Sequence, residues 1–420
     1  MQDEDIILEI QRTSTPMKTM DDLDKIVQAI GDREIVLLGE ASHGTSEFYT
    51  MRAEITKRLI QEKGFSFIAV EGDWPSCFTL NRYIKHKADA PSNAREALKD
   101  FNRWPTWMWA NEEVVDLTQW LHEYNKNKKD KDQIGFYGID VYSLWESMEE
   151  IIRHLTEIDS PDLAIAQKAF ECFEPHGREP QAYGVSASFL SEGCEEEVVD
   201  LLLTLQEKRK ASGPQDELSL NDEINALVAV NAERYYQSMV RGGPDSWNIR
   251  DRHMVEALSR IKAFHGPHAK AIVWEHNTHI GDARATDMAA DGMVNVGQLV
   301  REKFGQEQVY AVGFGTYQGT VIAADKWGGD IEVMKVPQAI SGSWEALLHQ
   351  AGDHDKVIIF DEESKVLHQP LGHRAIGVVY HPHYERGNYV PSILPSRYDA
   401  FIYVDQSRAL EPLKQPVMYY

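Results

Sequence analysis

Glu34-Ile35-Val36-Leu37-Leu38-Gly39-Glu40-Ala41-Ser42-His43-Gly44 is an apolar run that stops at a glycine and opens into polar residues. An unbroken apolar run of this length reads as a strand buried on both faces, the habit of parallel sheets. From Thr45 to Glu62 the spacing turns helical, with Phe48, Met51, Ile55, Leu59 and Ile60 on one side. Thr45 or Ser46 is placed to cap that helix, and Glu47 sits in its first turn. Phe67-Ile68-Ala69-Val70 is a second buried strand, and a helix follows from about Pro75, a residue suited to a first helical position. Ile134-Gly135-Phe136-Tyr137-Gly138-Ile139 is a third strand. This alternation predicts an α/β fold whose central sheet is mostly parallel and flanked by helices.

Outward from there the rhythm changes. Between Leu144 and Phe264 only helical stretches with acidic faces are found, most clearly Cys194 to Lys210 and Asn221 to Val240, with Ala211-Ser212-Gly213-Pro214 as a loop between them. Strands return at Ala271-Ile272-Val273-Trp274 and Val309 to Phe314. The tail carries strand signals at Ile331 to Val336, Val357 to Phe360, Ala375 to Tyr380 and Phe401 to Val404, with a helix near Trp344 to Gln350. The expected organisation is an α/β core (1–143, 265–325 and 390–420), a helical insertion (144–264) and a small α+β unit near the C-terminus (326–389), the last strand rejoining the core sheet.

The chain has 420 residues, 42% hydrophobic and 26% charged, which is ordinary for a globular protein. No window approaches the roughly 18 apolar residues a membrane helix needs. The acidic start Met1-Gln2-Asp3-Glu4-Asp5 does not resemble an export signal, so the cytoplasm is the expected location. A net charge of -24, from 43 basic and 67 acidic residues, argues against nucleic acid and anionic membranes as partners, since both need a basic face. Cys77, Cys172 and Cys194 lack motif spacing and read as three thiols without a role, which fits a reducing compartment.

Chemistry gathers where the strands end. The first ends in Glu40 and His43, the second in Glu71 and Asp73, the third in Asp140, and a later one in Glu275-His276-Asn277-Thr278-His279. Parallel strands place all their C-termini on one edge, so Glu40, His43, Glu71, Asp140, His276 and His279 are expected to converge there. Asp73 and Asp140 read equally well as helix caps or loop anchors. His122, His154, His176 and His373 read as structural histidines. Glu40 and Glu71 each follow a fully apolar strand and need partners, because an unpaired buried carboxylate is costly.

No G-x-S-x-G elbow, P-loop or dinucleotide fingerprint is present. Ser42 is a poor nucleophile candidate, since neighbours in a turn seldom point at each other. Two readings of the set stay open. A histidine held by carboxylates activates a water directly, or the histidines and carboxylates hold a divalent metal that does so. The His276/His279 pair suits both. Trp104-Pro105-Thr106-Trp107-Met108-Trp109 reads as a core cluster or as the aromatic wall of a ligand pocket, with Trp107 and Trp109 the candidates for substrate contact beside Asp140.

At these residues the chain resembles the erythromycin esterase family. The resemblance rests on Gly39-Glu40-Ala41-Ser42-His43-Gly44-Thr45, Glu71-Gly72-Asp73 and Trp274-Glu275-His276-Asn277-Thr278-His279, with weaker echoes at Phe136 to Asp140, Arg250-Asp251 and Tyr398 to Phe401. It spans nearly the whole chain. It implies a hydrolase acting on a carboxylic ester or macrolide lactone, without metal or cofactor, in which His43 is the general base. It implies that Glu40 and Glu71 orient or polarise His43, and that Arg52, His276 and His279 share the cleft, with Arg52 or a protonated histidine holding the oxyanion. The expected partner is a small ester or lactone. The competing readings are a metal-dependent hydrolase on another ester or a polysaccharide-related substrate, and a non-catalytic ligand-binding homologue.

Overall fold

Apolar runs that are fully buried along their whole length become parallel strands, and in the computed structural model they are β2 to β5 in a set of eleven among the described residues. The structure describes residues 2–173, 183–185, 193–212, 216–361 and 365–414. In chain order the strands are β1 (Ser14–Pro16), β2 (Ile35–Leu38), β3 (Phe67–Val70), β4 (Gly135–Gly138), β5 (Ala271–Trp274), β6 (Val309–Ala324), β7 (Ile331–Val336), β8 (Lys356–Ile359), β9 (Leu371–Arg374), β10 (Tyr389–Ser392) and β11 (Ala400–Ser407).

Nine of them form one sheet in the order β1-β8-β11-β6-β2-β5-β3-β4, with β7 paired to the far half of β6. The run from β11 to β4 is parallel throughout. Strands β1, β8 and β7 join antiparallel. Alternate residues serve opposite cores: Ile35, Leu37, Ala69 and Val273 face one apolar cluster, and Val36, Leu38, Ile68 and Trp274 face the other. Both faces are therefore covered, which is why these strands read as continuous apolar runs rather than alternating ones.

The helix Ser46–Lys63 follows β2, and Trp74–Ile84 follows β3. Residues 144–264 hold helices only, among the described residues: Leu144–Glu157, Leu163–Phe173, Glu195–Ser212, Glu217–Arg241 and Asp245–His265. Part of the loop expected at Ala211 to Pro214 lies outside the described residues. The longest helix, Glu217–Arg241, is pinned to the core at its start. Glu217 accepts from Tyr137 (2.6 Å) and Asn81 (2.9 Å) and pairs with Lys85 (2.5 Å), and Trp74 Nε1 donates to Asn221 (2.8 Å).

Three expectations are corrected. The unit expected over 326–389 is not separate, because β8 lies inside the large sheet between β1 and β11. The strand expected at Ala375 to Tyr380 is instead β9, a few residues earlier and paired with β10; Ile376 and Val379 make only isolated bridges, to Ser42 and Ala324. The cysteines are not three separate thiols: Cys172 and Cys194 form a disulfide, and Cys77 is a buried free thiol. Among the described residues no helix is long and apolar enough to cross a membrane.

Candidate active site

Strands β2, β5, β3 and β4 are consecutive neighbours, so their C-terminal ends bring four short loops together within three strand spacings of about 4.8 Å each. The chain leaves β2 toward β3 on one side, while β6 and β11 build the other side, so β2 marks the reversal of strand order where a crevice opens. Two glycines hold the loops tight. A Cβ on Gly39 would sit 2.1 Å from Asn277 Oδ1, and one on Gly44 would sit 1.9 Å from the Ile322 carbonyl. The loop after β2 is thus clamped between the loop after β5 and the long strand β6.

His43 sits at the centre. Its Nδ1 lies 2.8 Å from Glu40 Oε1, and Glu40 Oε2 accepts from Arg52 Nη2 at 2.6 Å. An acceptor on Nδ1 fixes the proton there and leaves the Nε2 lone pair facing Glu71 Oε1 at 4.0 Å. Burial opposes charge on this ring, but the carboxylates of Glu71 and Glu40 outweigh it, so the His43 pKa is raised above the ordinary 6.5. Arg52 is fully buried behind Glu40, with its guanidinium 4.4 Å from the Tyr49 ring and 4.5 Å from Trp274. It braces Glu40 and does not line the cleft.

Glu71 accepts from the His276 backbone N–H at 2.8 Å and from Arg250 Nη2 at 2.7 Å. Burial pushes its carboxyl up; His279, His43, Arg250 and the His276 N–H prevail and hold it far below the usual carboxylate range. Asp140 accepts twice from Arg250, at 2.9 and 2.7 Å, and the arginine likewise overrides burial to lower its pKa. Arg250 Nη1 also donates to His279 Nε2 at 3.0 Å. A guanidinium has no acceptor, so His279 Nε2 carries the lone pair and its Nδ1 the proton, given to Asp251 at 2.9 Å. The Trp247 ring stacks on His279 at 4.4 Å. His276 caps its own short helix, its Nδ1 accepting from the Thr278 backbone at 3.3 Å and lying 2.8 Å from the Thr278 hydroxyl. Burial holds its pKa well below the ordinary value, and its ring lies 4.8 Å from that of His43.

The cleft above these groups has about 710 Å³ of open space. One wall is ionic: His43, Glu71, Asp140, Arg250 and the Asp73–Arg103 pair, joined at 2.8 Å. Tyr142 stands between the two arginines, 4.8 Å from Arg250 and 5.4 Å from Arg103. The other wall is apolar, made by Phe101, Pro105, Met108, Trp109, Trp327 and Val378.

The sequence-derived set therefore divides. Glu40, His43, Glu71, Asp140, His276 and His279 converge as expected, while Arg52 stands one layer back. Asp73 takes the cap position of its helix without a capping bond and pairs with Arg103 instead. Trp109 lines the cleft and donates to the Glu71 carbonyl at 3.0 Å. Trp107 does not: it is fully buried against Trp104, because the short helical turn Thr106–Met108 sends successive side chains to different sides. His122, His154 and His373 are held elsewhere, by Tyr83, Asp222 and Glu345; His176 lies outside the described residues. Arg250 and Asp251 were missed as site residues. They come from the helix Asp245–His265, which has no strand end to flag them.

A family model described as erythromycin esterase matches residues 60–407. That stretch begins after Glu40, His43 and Arg52. Erythromycin esterase type II of Escherichia coli is 24% identical over 371 residues, covering 82% of this chain and 85% of that protein. The crystal structure of a succinoglycan biosynthesis protein superposes with a TM-score of 0.79 at 21% identity, over 97% of this chain and 98% of that one. An erythromycin esterase mutant crystallised in an open conformation gives a TM-score of 0.66 at 16% identity, over 94% and 97%.

Proposed function

This chain belongs to the erythromycin esterase family, and from that premise we propose that it hydrolyses a carboxylic ester or lactone with water activated by His43. The observation that carries the reading is the arrangement of acceptors at the cleft floor. Glu40 holds the Nδ1 proton, so His43 presents a lone pair at Nε2, 4.0 Å from Glu71 Oε1. Two acceptors that far apart subtend about 90° at an oxygen placed at hydrogen-bond distance from both, close to the angle between the two O–H bonds of water. A water there gives one proton to His43 and keeps the other on Glu71 while its lone pair attacks the ester carbonyl.

The oxyanion then needs a donor. Arg250 has five N–H groups. Nε serves Asp140, Nη2 serves Glu71 and Asp140, and one Nη1 hydrogen serves His279. The second Nη1 hydrogen has no partner among the described residues, and Arg250 lines the cleft. We assign the oxyanion to it in place of Arg52; losing one such donor typically costs about 10²- to 10³-fold in rate. His43, now an imidazolium, gives its proton to the leaving alkoxide.

The metal-assisted reading is less well supported by the nitrogen inventory. His279 Nε2 accepts from Arg250 and His276 Nδ1 from Thr278, so of these three histidines His43 alone has an open lone pair. A cytoplasmic location belongs to the same proposal.

The test is hydrolysis of erythromycin and of 4-nitrophenyl acetate by the full chain, with and without EDTA, alongside His43→Ala. Removing a positioned base costs about 10²- to 10⁴-fold. A His43→Ala enzyme above about a tenth of the wild-type rate refutes the base assignment, and loss of turnover in EDTA refutes the metal-free mechanism.

A further inference from the structure

The mechanism uses only the ionic wall of the cleft. The opposite wall contains Trp327, which keeps 64% of its surface exposed although few large apolar side chains among the described residues do so. It is carried there by the hairpin of β6 and β7, whose turn reaches over the mouth of the cleft. The turn is fastened at two points. Trp104 Nε1 donates to the Gly329 carbonyl at 3.0 Å, and the Trp104 ring packs against Trp327 at 4.5 Å. Within the turn Gly329 N–H closes on the Lys326 carbonyl, also at 3.0 Å. The indole is therefore held against Trp104 while most of its surface stays open where it lines the cleft.

We propose that Trp327, backed by Trp104, is a specificity-determining residue that receives the apolar part of the substrate remote from the reacting carbonyl. This rests on the ester-hydrolase reading above. The geometry favours esters with an extended apolar acyl chain or ring, which lie along Trp327, Phe101 and Met108 while the carbonyl meets His43 and Arg250. Small polar esters reach the ionic floor without touching the indole. An exposed, preordered aromatic face suits this use, because few side-chain rotamers are lost when a ligand covers it.

The experiment compares 4-nitrophenyl octanoate with 4-nitrophenyl acetate for the wild type, Trp327→Ala and Trp327→Phe, with Tyr384→Ala, 76% exposed and outside the cleft lining, as the surface control. The expected result is a drop of about tenfold in the octanoate-to-acetate ratio of kcat/KM for Trp327→Ala, mostly through KM, with partial recovery in Trp327→Phe. Equal losses on both esters, or no change in the ratio, overturn the proposal. If the wild type hydrolyses neither ester, calorimetric titration with octanamide decides. Binding at least fivefold weaker in Trp327→Ala than in wild type keeps the apolar subsite while the reaction assignment falls; equal binding, or none, removes the subsite too.

Discussion

His43 is poised between two carboxylates, and its pKa follows from that position. Burial opposes its protonation, but Glu71 and Glu40 stabilise the imidazolium and carry the pKa above 6.5. A general base works only when unprotonated, so kcat/KM for ester hydrolysis is expected to rise with pH through an acid limb above the ordinary 6.5. Glu71→Gln removes one of the charges that raises this pKa. The expected outcome is a lower rate together with an acid limb displaced to lower pH. A pH profile whose limb stays put would show that Glu71 does not act on His43. The strand-end pattern made most of this constellation readable in the sequence, because Glu40, Glu71, Asp140 and His276 follow apolar runs that read as buried parallel strands. It could not reveal depth. Arg52 has the helical spacing to reach Glu40, yet whether it faces the cleft or the core depends on Tyr49 and Trp274 stacking around it. Arg250 comes from a helix of the insertion, whose docking on β3 and β4 has no local signature. Among three tryptophans within six residues, only packing decides that Trp109 reaches the cleft and Trp107 does not.

At the scale of elements, the parallel strands were legible because burial on both faces leaves continuous apolar runs, and the helices because their spacing and caps agree. The tail was less so. β8 is four residues long and looks like any short strand, and its antiparallel pairing between β1 and β11 depends on Ser14–Pro16, an N-terminal segment with no strand signal of its own. The disulfide was illegible for a different reason: Cys172 lies at the end of one helix, Cys194 immediately precedes another, and their separation of 22 positions obeys no motif spacing. Closing a loop of that size removes denatured-state freedom amounting to about 3 kcal/mol in the chain-entropy model. Cys172→Ser with Cys194→Ser, or dithiothreitol on the wild type, is therefore expected to lower the unfolding midpoint of the helical insertion. The cleft floor is built by the strand-end loops and by Arg250, which lies on the helix Asp245–His265, far along the chain from the disulfide, and ester turnover at 25 °C is expected to survive. An unchanged midpoint would mean that the native helices already restrain that loop. Thiol alkylation in fresh lysate extends the test to location: a reducing cytoplasm keeps both sulfurs alkylatable, whereas a protected pair points to an oxidising compartment.

The whole molecule is an α/β sheet with a helical insertion laid over one face, and the joint between them is electrostatic as well as apolar. Glu217, at the start of the central insertion helix, meets Lys85, Tyr137 and Asn81 of the core. Burial raises its carboxyl pKa, but the Lys85 charge and the hydrogen bonds from Lys85, Tyr137 and Asn81 bring it down to about 2. The Lys85 pKa is lowered as well, because burial outweighs Glu217, and for an ammonium group that shift disfavours the charged form. The joint therefore draws its pH-linked stability from the carboxylate side. A depressed carboxyl pKa contributes stability that is complete above the ordinary value of 4.5 and is lost as pH falls toward 2. Wild-type protein is thus expected to lose urea resistance between pH 4.5 and pH 2, the insertion loosening first because Glu217 fastens it to the core. Glu217→Gln should start from a lower midpoint at neutral pH, since it leaves Lys85 buried without its charge partner, and should fall less steeply through that acid window. Parallel pH slopes for the two proteins would place the acid sensitivity elsewhere, with the Arg250–Asp140–Glu71 cluster at the cleft floor the next group to replace.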